Sequence, residues 1–240
     1  FKEAGISEQD LPTTWDELEE TARKLDKKEG KEFTRIGFYP LWNLGADVWA
    51  LNADNGTSWF DKDEKVKIDT KNKVEALEWI QDWQDYYGKN TINKLEAEFG
   101  SGVSDPFISG LVAMRAQNIN YYSSLMENAP DDFDFGVMQL PEKEEGSGHW
   151  SWGGGFVLEV PYGAKDPEAS YEFIKYLSSP EVQEKFGEKS FDIMASKTAN
   201  ENLVNNDNLT DKGKMIYQMA DENFKNTVIT QVPLDAPDYT

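Results

Sequence analysis

Gly153-Gly154-Gly155-Phe156-Val157-Leu158-Glu159-Val160-Pro161-Tyr162-Gly163-Ala164-Lys165-Asp166-Pro167-Glu168-Ala169-Ser170-Tyr171-Glu172-Phe173-Ile174-Lys175-Tyr176-Leu177-Ser178-Ser179-Pro180-Glu181-Val182-Gln183-Glu184-Lys185-Phe186 reads as a glycine turn, a strand, a turn, a helix, a break and a second helix. The strand is expected over Phe156–Val160, and the helices over Pro167–Leu177 and Pro180–Phe186. Ser179-Pro180 puts proline at the first helical position, where its missing N–H costs nothing.

The rest of the chain alternates in the same way. Thr14-Trp15-Asp16-Glu17 is a capping box, a threonine hydroxyl at the N-cap and a glutamate three residues on. Leu18, Ala22 and Leu25 recur at helical spacing, and Gly30 ends the segment. Arg35–Tyr39 reads as a strand, Pro40–Trp49 as a loop or irregular helix, and Asp54-Asn55-Gly56 as a turn. Thr70 or Asn72 caps a second helix, with Ala76, Ile80, Trp83 and Tyr87 on one core-facing side and Gly88 beyond its end. Asp105–Gly110 reads as a short helix, and Leu111–Ala116 and Phe135–Leu140 as strands. Glu142–Gly148 is expected to be a polar surface loop, its charge run solvated. Asn200–Asn208 is expected to be a loop, and Thr210–Phe224 a helix. Helices alternating with short strands indicate an α/β fold.

Composition removes whole classes of function. A net charge of -21 argues against nucleic acid and anionic membranes, which need clustered positive charge. There is no cysteine, hence no disulfide framework or thiolate metal site. The single histidine, His149, leaves little room for a Ser-His-Asp triad or a multi-histidine zinc site. No apolar run approaches the roughly 18 residues needed to span a bilayer. The chain opens on Phe1 without Met or a signal-like segment, and is expected to begin inside a longer protein.

Two further strings precede the opening one in order: Pro12-Thr13-Thr14-Trp15-Asp16-Glu17-Leu18 and Phe107-Ile108-Ser109-Gly110-Leu111-Val112-Ala113-Met114. Together the three resemble the solute-binding proteins of bacterial ABC sugar importers, the broad family that includes maltose-binding protein. The resemblance implies a type II periplasmic-binding-protein-like lobe with part of a second lobe. Residues 1–135 and 200–240 would form one α/β lobe, and 136–199 a strand-helix-helix portion of its partner. The first half of that partner lobe, which precedes Phe1 in the family, is absent here. The apolar surface it would cover predicts self-association or a loosely placed 136–199 portion. The resemblance also implies an extracytoplasmic location, periplasmic or as a cell-surface lipoprotein, and ABC permease subunits as partners.

Trp42 and Asn43 follow the Arg35–Tyr39 strand, and strand-end loops face the binding crevice in α/β folds. An indole face suits sugar C–H groups and an amide suits hydroxyls; the alternative for Trp42 is the core. In the resembled family the residues after the Ala113-Met114 strand turn into the cleft, which implicates Asn118, Tyr121 and Tyr122, against inward packing at a helix start. The usual Gly-Trp-like element is missing there. Adjacent tyrosines also evoke a ferric site, for which the further ligands are lacking. Trp152, Gly153 and Gly154 match a glycine pair at the cleft edge, with Trp150 on the same side as Trp152 if the segment is extended. His149 reads as a surface loop residue. Asp61-Lys62-Asp63-Glu64 has a calcium-like spacing but lacks the remaining ligands and glycine of a calcium loop.

The reading these features support is capture of a sugar, in all expectation an oligosaccharide, by hinge closure and delivery to a permease, with no catalysis, cofactor or metal. A receptor for a peptide or polyamine on the same scaffold is the alternative. A glycoside hydrolase is the remote one, since no strand-end carboxylate pair stands out.

Overall fold

The computed structural model describes residues 1–61, 63 and 65–229. Along the chain the helices are α1 (Trp15–Leu25), α2 (Ala46–Ala53), α3 (Lys71–Tyr87), α4 (Lys89–Glu96), α5 (Tyr121–Asn128), α6 (Pro167–Leu177), α7 (Pro180–Ser190), α8 (Lys197–Val204) and α9 (Asp211–Asn223). The strands are β1 (Lys27–Glu29), β2 (Glu32–Arg35), β3 (Ser151–Gly153) and β4 (Thr227–Ile229). β1 and β2 form an antiparallel hairpin, and β3 and β4 a parallel pair with Trp152 opposite Val228.

The chain divides into two compact units. The first comprises Phe1–Gln117, Asn128–Gly153 and the chain from Asn226; the second comprises Asn118–Glu127 and Gly154–Lys225.

In the first unit the helix signals act as expected. Thr14 Oγ1 accepts the Glu17 N–H and the Glu17 carboxylate accepts the Thr14 N–H at 3.3 Å, so α1 starts on a complete capping box. The Thr70 hydroxyl caps α3, which buries Ala76, Ile80, Trp83 and Tyr87. Gly30, expected to end α1, instead turns the β1–β2 hairpin; α1 ends at Asp26. The Asp26 carboxylate accepts from Gly37 N at 2.8 Å and from the Tyr86 and Tyr87 hydroxyls at 2.9 and 3.0 Å. Burial holds its pKa above the usual value against these bonds, and burial with Asp26 nearby pushes Tyr86 up to about 12.

The core is a wall of indoles. Trp15 stacks on Trp79 with centroids 4.2 Å apart, and Trp49 meets Trp15 and Phe38 edge-on. Trp83 continues the wall to Phe38, Trp79 and Tyr87. Beside it, Ile36–Gly37 runs parallel to Leu111–Met114: Ile36 N donates to Leu111 O, Ala113 N to Ile36 O and Met114 N to Gly37 O. This short parallel contact replaces the two full strands expected over Arg35–Tyr39 and Leu111–Ala116. Asp105–Gly110 forms turns rather than a helix.

The second unit is helical. α7, α8 and α9 pack around Phe191, Ala199, Leu203, Ile216 and Tyr217, and Tyr122 of α5 meets Phe191 edge-on at 4.6 Å. Gly187 lets α7 and α8 approach closely: a Cβ there would lie 2.4 Å from a Leu203 methyl. The asparagine-rich run expected to be a loop is largely α8, capped by Ser196 and anchored by Ala199 and Leu203.

That packing corrects the expected division at 135/136 and 199/200. The Tyr217 hydroxyl donates to Gly187 O at 2.8 Å and reaches Asp192 O at 3.2 Å, so 200–225 belong with 154–199. Residues 136–153 belong with the first unit, held by hydrogen bonds from Asn52.

Phe135–Leu140 and Phe156–Val160, both expected as strands, are not strands. A strand needs a hydrogen-bonding neighbour, and among the described residues no backbone bond joins 154–160 to another segment. Phe156 and Val157 stand exposed, and α6 buries none of its residues. No helix among the described residues is long and apolar enough to cross a membrane.

Candidate functional site

The parallel contact in the first unit brings two chain ends to one edge. Ile36–Gly37 leads into Phe38–Asn43, and Leu111–Met114 leads into Arg115, so Asn43 and Arg115 meet at the carboxyl end of both runs, the side on which α/β folds bind ligands.

At that edge Trp42 is not a free platform. It is 6 % exposed, donates its indole N–H to Glu96 Oε1 at 3.0 Å, and packs edge-on against Tyr39 and Phe99. The structure gives it the core role, because the loop after the strand folds straight into α2 and turns the indole inward. Asn43 is exposed, with a positive φ of 81°. Its Nδ2 donates to Trp42 O at 2.7 Å, and its Oδ1 accepts from an Arg115 Nη. The other Arg115 Nη donates to Asp105 Oδ2 at 2.5 Å, with side chains 9 % and 15 % exposed. Asp105 Oδ1 accepts the N–H groups of Phe107 and Ile108 at 2.9 and 3.2 Å.

The second cluster of the first unit is the 141–153 segment, of which Glu142–Gly148 was expected to be a solvated surface loop. Glu142 is buried: its backbone pairs with Thr13 and Trp15, and its carboxylate accepts from Gly146 N at 2.9 Å and Gly148 N at 2.7 Å. Burial pushes the Glu142 carboxyl up, but the two N–H donors outweigh it and hold the group below its usual pKa. Lys143 reaches Glu75 and Asn72 on α3. His149 Nδ1 lies 2.9 Å from Leu140 O.

Trp150 lies across Gly56, whose φ of +73° and missing Cβ admit the ring; a Cβ there would sit 2.3 Å from the indole. Its N–H donates to Ser147 O, and its carbonyl accepts from Asn52 Nδ2 at 2.7 Å. Asn52 is fully buried, also donates to Pro141 O at 3.1 Å and accepts the Trp15 indole N–H at 3.0 Å. Two residues on, Trp152 lies in β3 and is 38 % exposed, with Gly153 half-buried beside it. Of the two tryptophans expected on one side if the segment is extended, Trp150 is clamped and Trp152 is the more exposed.

In the second unit Tyr122 is a core residue: 6 % exposed, its hydroxyl 2.7 Å from the Thr210 hydroxyl. Asn118 is exposed, Tyr121 is half-buried, and Asn120 donates to Asp192 Oδ1 at 3.0 Å. Gly154 is exposed at the start of this unit's long segment. The Asp61–Glu64 stretch includes Lys62 and Glu64, which lie outside the described residues; Asp61 Oδ1 accepts the N–H groups of Asp63 and Lys65. Among the described residues no group of three or more acidic, histidine or cysteine side chains could hold a metal ion.

Sequence reasoning passed over Arg115, Asp105 and Asn52. Arg115 did leave a signal, a lone charge inside the otherwise apolar run Leu111–Ala116. Asn52 left none, being one polar residue in an apolar helix.

The chain has relatives of known ligand. It is 23% identical over 206 residues to the maltooligosaccharide ABC transporter solute-binding lipoprotein of Streptococcus pneumoniae, covering 79% of this chain and 45% of that protein. It is 27% identical over 208 residues to the sn-glycerol-3-phosphate-binding periplasmic protein of Brucella abortus, covering 79% and 43%. The chain thus spans less than half the length of these curated relatives. A solved structure titled CpMnBP1 with mannobiose bound is similar with a TM-score of 0.79 and 26% identity, covering 96% of this chain and 57% of that one. The fold is the periplasmic-binding-protein-like α/β type expected, in part. The profile of the family described as bacterial extracellular solute-binding protein matches residues 1–184. With three quarters of its length inside that match, the chain belongs to the bacterial extracellular solute-binding proteins, in keeping with the extracytoplasmic location expected of it.

Proposed function

We propose that the protein carrying this chain binds an oligosaccharide outside the cytoplasm and delivers it to an ABC permease without altering it. The observation that carries this reading is the likeness, over 96% of the chain, to a protein with mannobiose bound. The chemistry agrees with it. In the first unit, Trp152 in β3 offers an indole suited to the C–H face of an uncharged sugar ring.

The test is calorimetric titration of the complete protein with mannobiose, maltotriose and a peptide and polyamine panel. Saturable binding of an oligosaccharide recovered intact supports the reading. Binding only to peptides or polyamines, or release of shorter sugars, overturns it.

A second reading, an anionic solute such as sn-glycerol 3-phosphate, is favoured by the 27% identical relative. We also propose that the 240-residue chain alone self-associates through exposed apolar side chains, among them Phe156, Val157, Tyr171, Phe173 and Tyr176. Sedimentation that stays monomeric at high concentration would refute this.

A further inference from the structure

Arg115 is the charge that could turn this site toward phosphate, and its surroundings decide whether it does. A phosphomonoester binds best to a guanidinium with two N–H groups free to form a fork. Here both Nη atoms are engaged, one with the Asp105 carboxylate at 2.5 Å and the other with Asn43 Oδ1, so a phosphate would have to share the guanidinium with a carboxylate that already neutralises it. Asp105 is not free to swing aside. Its second oxygen accepts two backbone N–H groups, those of Phe107 and Ile108, so moving the carboxylate uncaps the turn that carries the chain into Leu111–Met114. A phosphate reaching Arg115 would therefore sit against a fixed, largely buried carboxylate, and like charges at such range repel strongly where water is scarce. An uncharged sugar meets no such penalty, and the paired guanidinium still keeps Asn43 in place.

We propose that Asp105 is a specificity-determining residue: by holding Arg115 in an ion pair it sets the carboxyl edge of the first unit for uncharged polyols and against phosphorylated ones. This rests on the oligosaccharide reading for its positive half, the ligand accepted, and on the ion pair alone for its negative half, the ligand refused.

The experiment titrates the complete protein and its Asp105→Asn, Asp105→Ser and Asp105→Asn/Arg115→Met variants with mannobiose, sn-glycerol 3-phosphate and inorganic phosphate, folding being checked by circular dichroism. Asn and Ser both remove the charge and keep an oxygen to cap the turn. The parent is expected to bind mannobiose and to bind both phosphates at least tenfold more weakly. Either single variant should gain tenfold or more for sn-glycerol 3-phosphate, and the double variant should lose that gain. Parent affinity for sn-glycerol 3-phosphate equal to that for mannobiose overturns the proposal. So does a folded Asp105→Asn or Asp105→Ser protein with no gain, or a gain that survives Arg115→Met. A parent that binds no sugar sinks the oligosaccharide reading instead, while a gain of phosphate affinity in the single variants, lost in the double, still supports the ion pair as the gate.

Discussion

Trp49 and Phe156 are large apolar side chains of one chain, yet the first is completely buried and the second completely exposed. Trp49 sits where α1, α2, α3 and the Ile36–Phe38 run all supply partners, and its indole N–H finds the Pro40 carbonyl at 2.8 Å. Phe156 lies in a segment with the composition of a strand but, among the described residues, no strand beside it. The second unit has a core of its own around Phe191 and Tyr217, whereas α6 leaves Tyr171, Phe173 and Tyr176 on the surface. Apolar pattern states what a segment needs; whether the need is met depends on a second layer.

The sharpest way to break this comparison is to truncate one aromatic in each region. Trp49→Ala should cost the first unit about 3–5 kcal/mol in urea unfolding, through lost burial and a cavity between packed indoles. Phe173→Ala should change stability by less than about 0.5 kcal/mol. Equal losses would mean that α6 is covered and the contrast is false.

Within the first unit, Asn52→Leu tests whether one amide holds the 141–153 segment. It strands the carbonyls of Pro141 and Trp150 and the indole N–H of Trp15, for an expected loss of about 2 kcal/mol, with faster amide exchange across 150–153. A variant as stable and as protected as the parent would show that the segment is held by something else.

Trp152→Ala separates the presented indole from the buried ones. It should leave unfolding nearly unchanged and weaken mannobiose binding by about 1–2 kcal/mol. Unchanged affinity in a folded protein would remove Trp152 from the site.

The smallest effect concerns acid. Glu142 has a folded pKa below its unfolded one, so its contribution is present above the ordinary glutamate value of about 4.3 and fades as pH falls through the lower, folded value. Glu142→Gln should therefore lower the melting temperature near neutrality, and the gap from the parent should close as pH drops below about 4. A gap that persists in acid would mean the effect is steric.

Much of the helical frame was legible because helix signals are local. Thr14 with Glu17, Thr70, Ser179-Pro180 and Thr210 each act within a turn of where they stand, and α6 begins and ends at the expected residues. α4 and α8 were missed because polar residues crowd around the few anchors, Ile92 and Leu95 in one and Ala199 and Leu203 in the other. The site was less legible. Trp42 and Trp152 are equivalent as residue types, and nothing near either in the chain says that Phe99 and Glu96 close over one ring while the other residue is 38 % exposed. Glu142-Lys143 looks like any solvated charge run until Gly146, Gly148 and Glu75 are brought to it.

By itself, then, the sequence determined what depends on neighbours a few residues away: the caps, the amphipathic faces of α1 and α3, the turn at Asp54–Gly56, the exclusion of thiolate chemistry, and the motif order that marks the family. Tertiary structure alone decided which aromatic is core and which is presented, which charges are spent on partners, and which extended runs pair. Those outcomes turn on contacts between residues far apart in the chain, such as Asn52 with Trp150 or Asn43 with Arg115, and the strength of a hydrogen bond or ion pair is set by the burial that such contacts create.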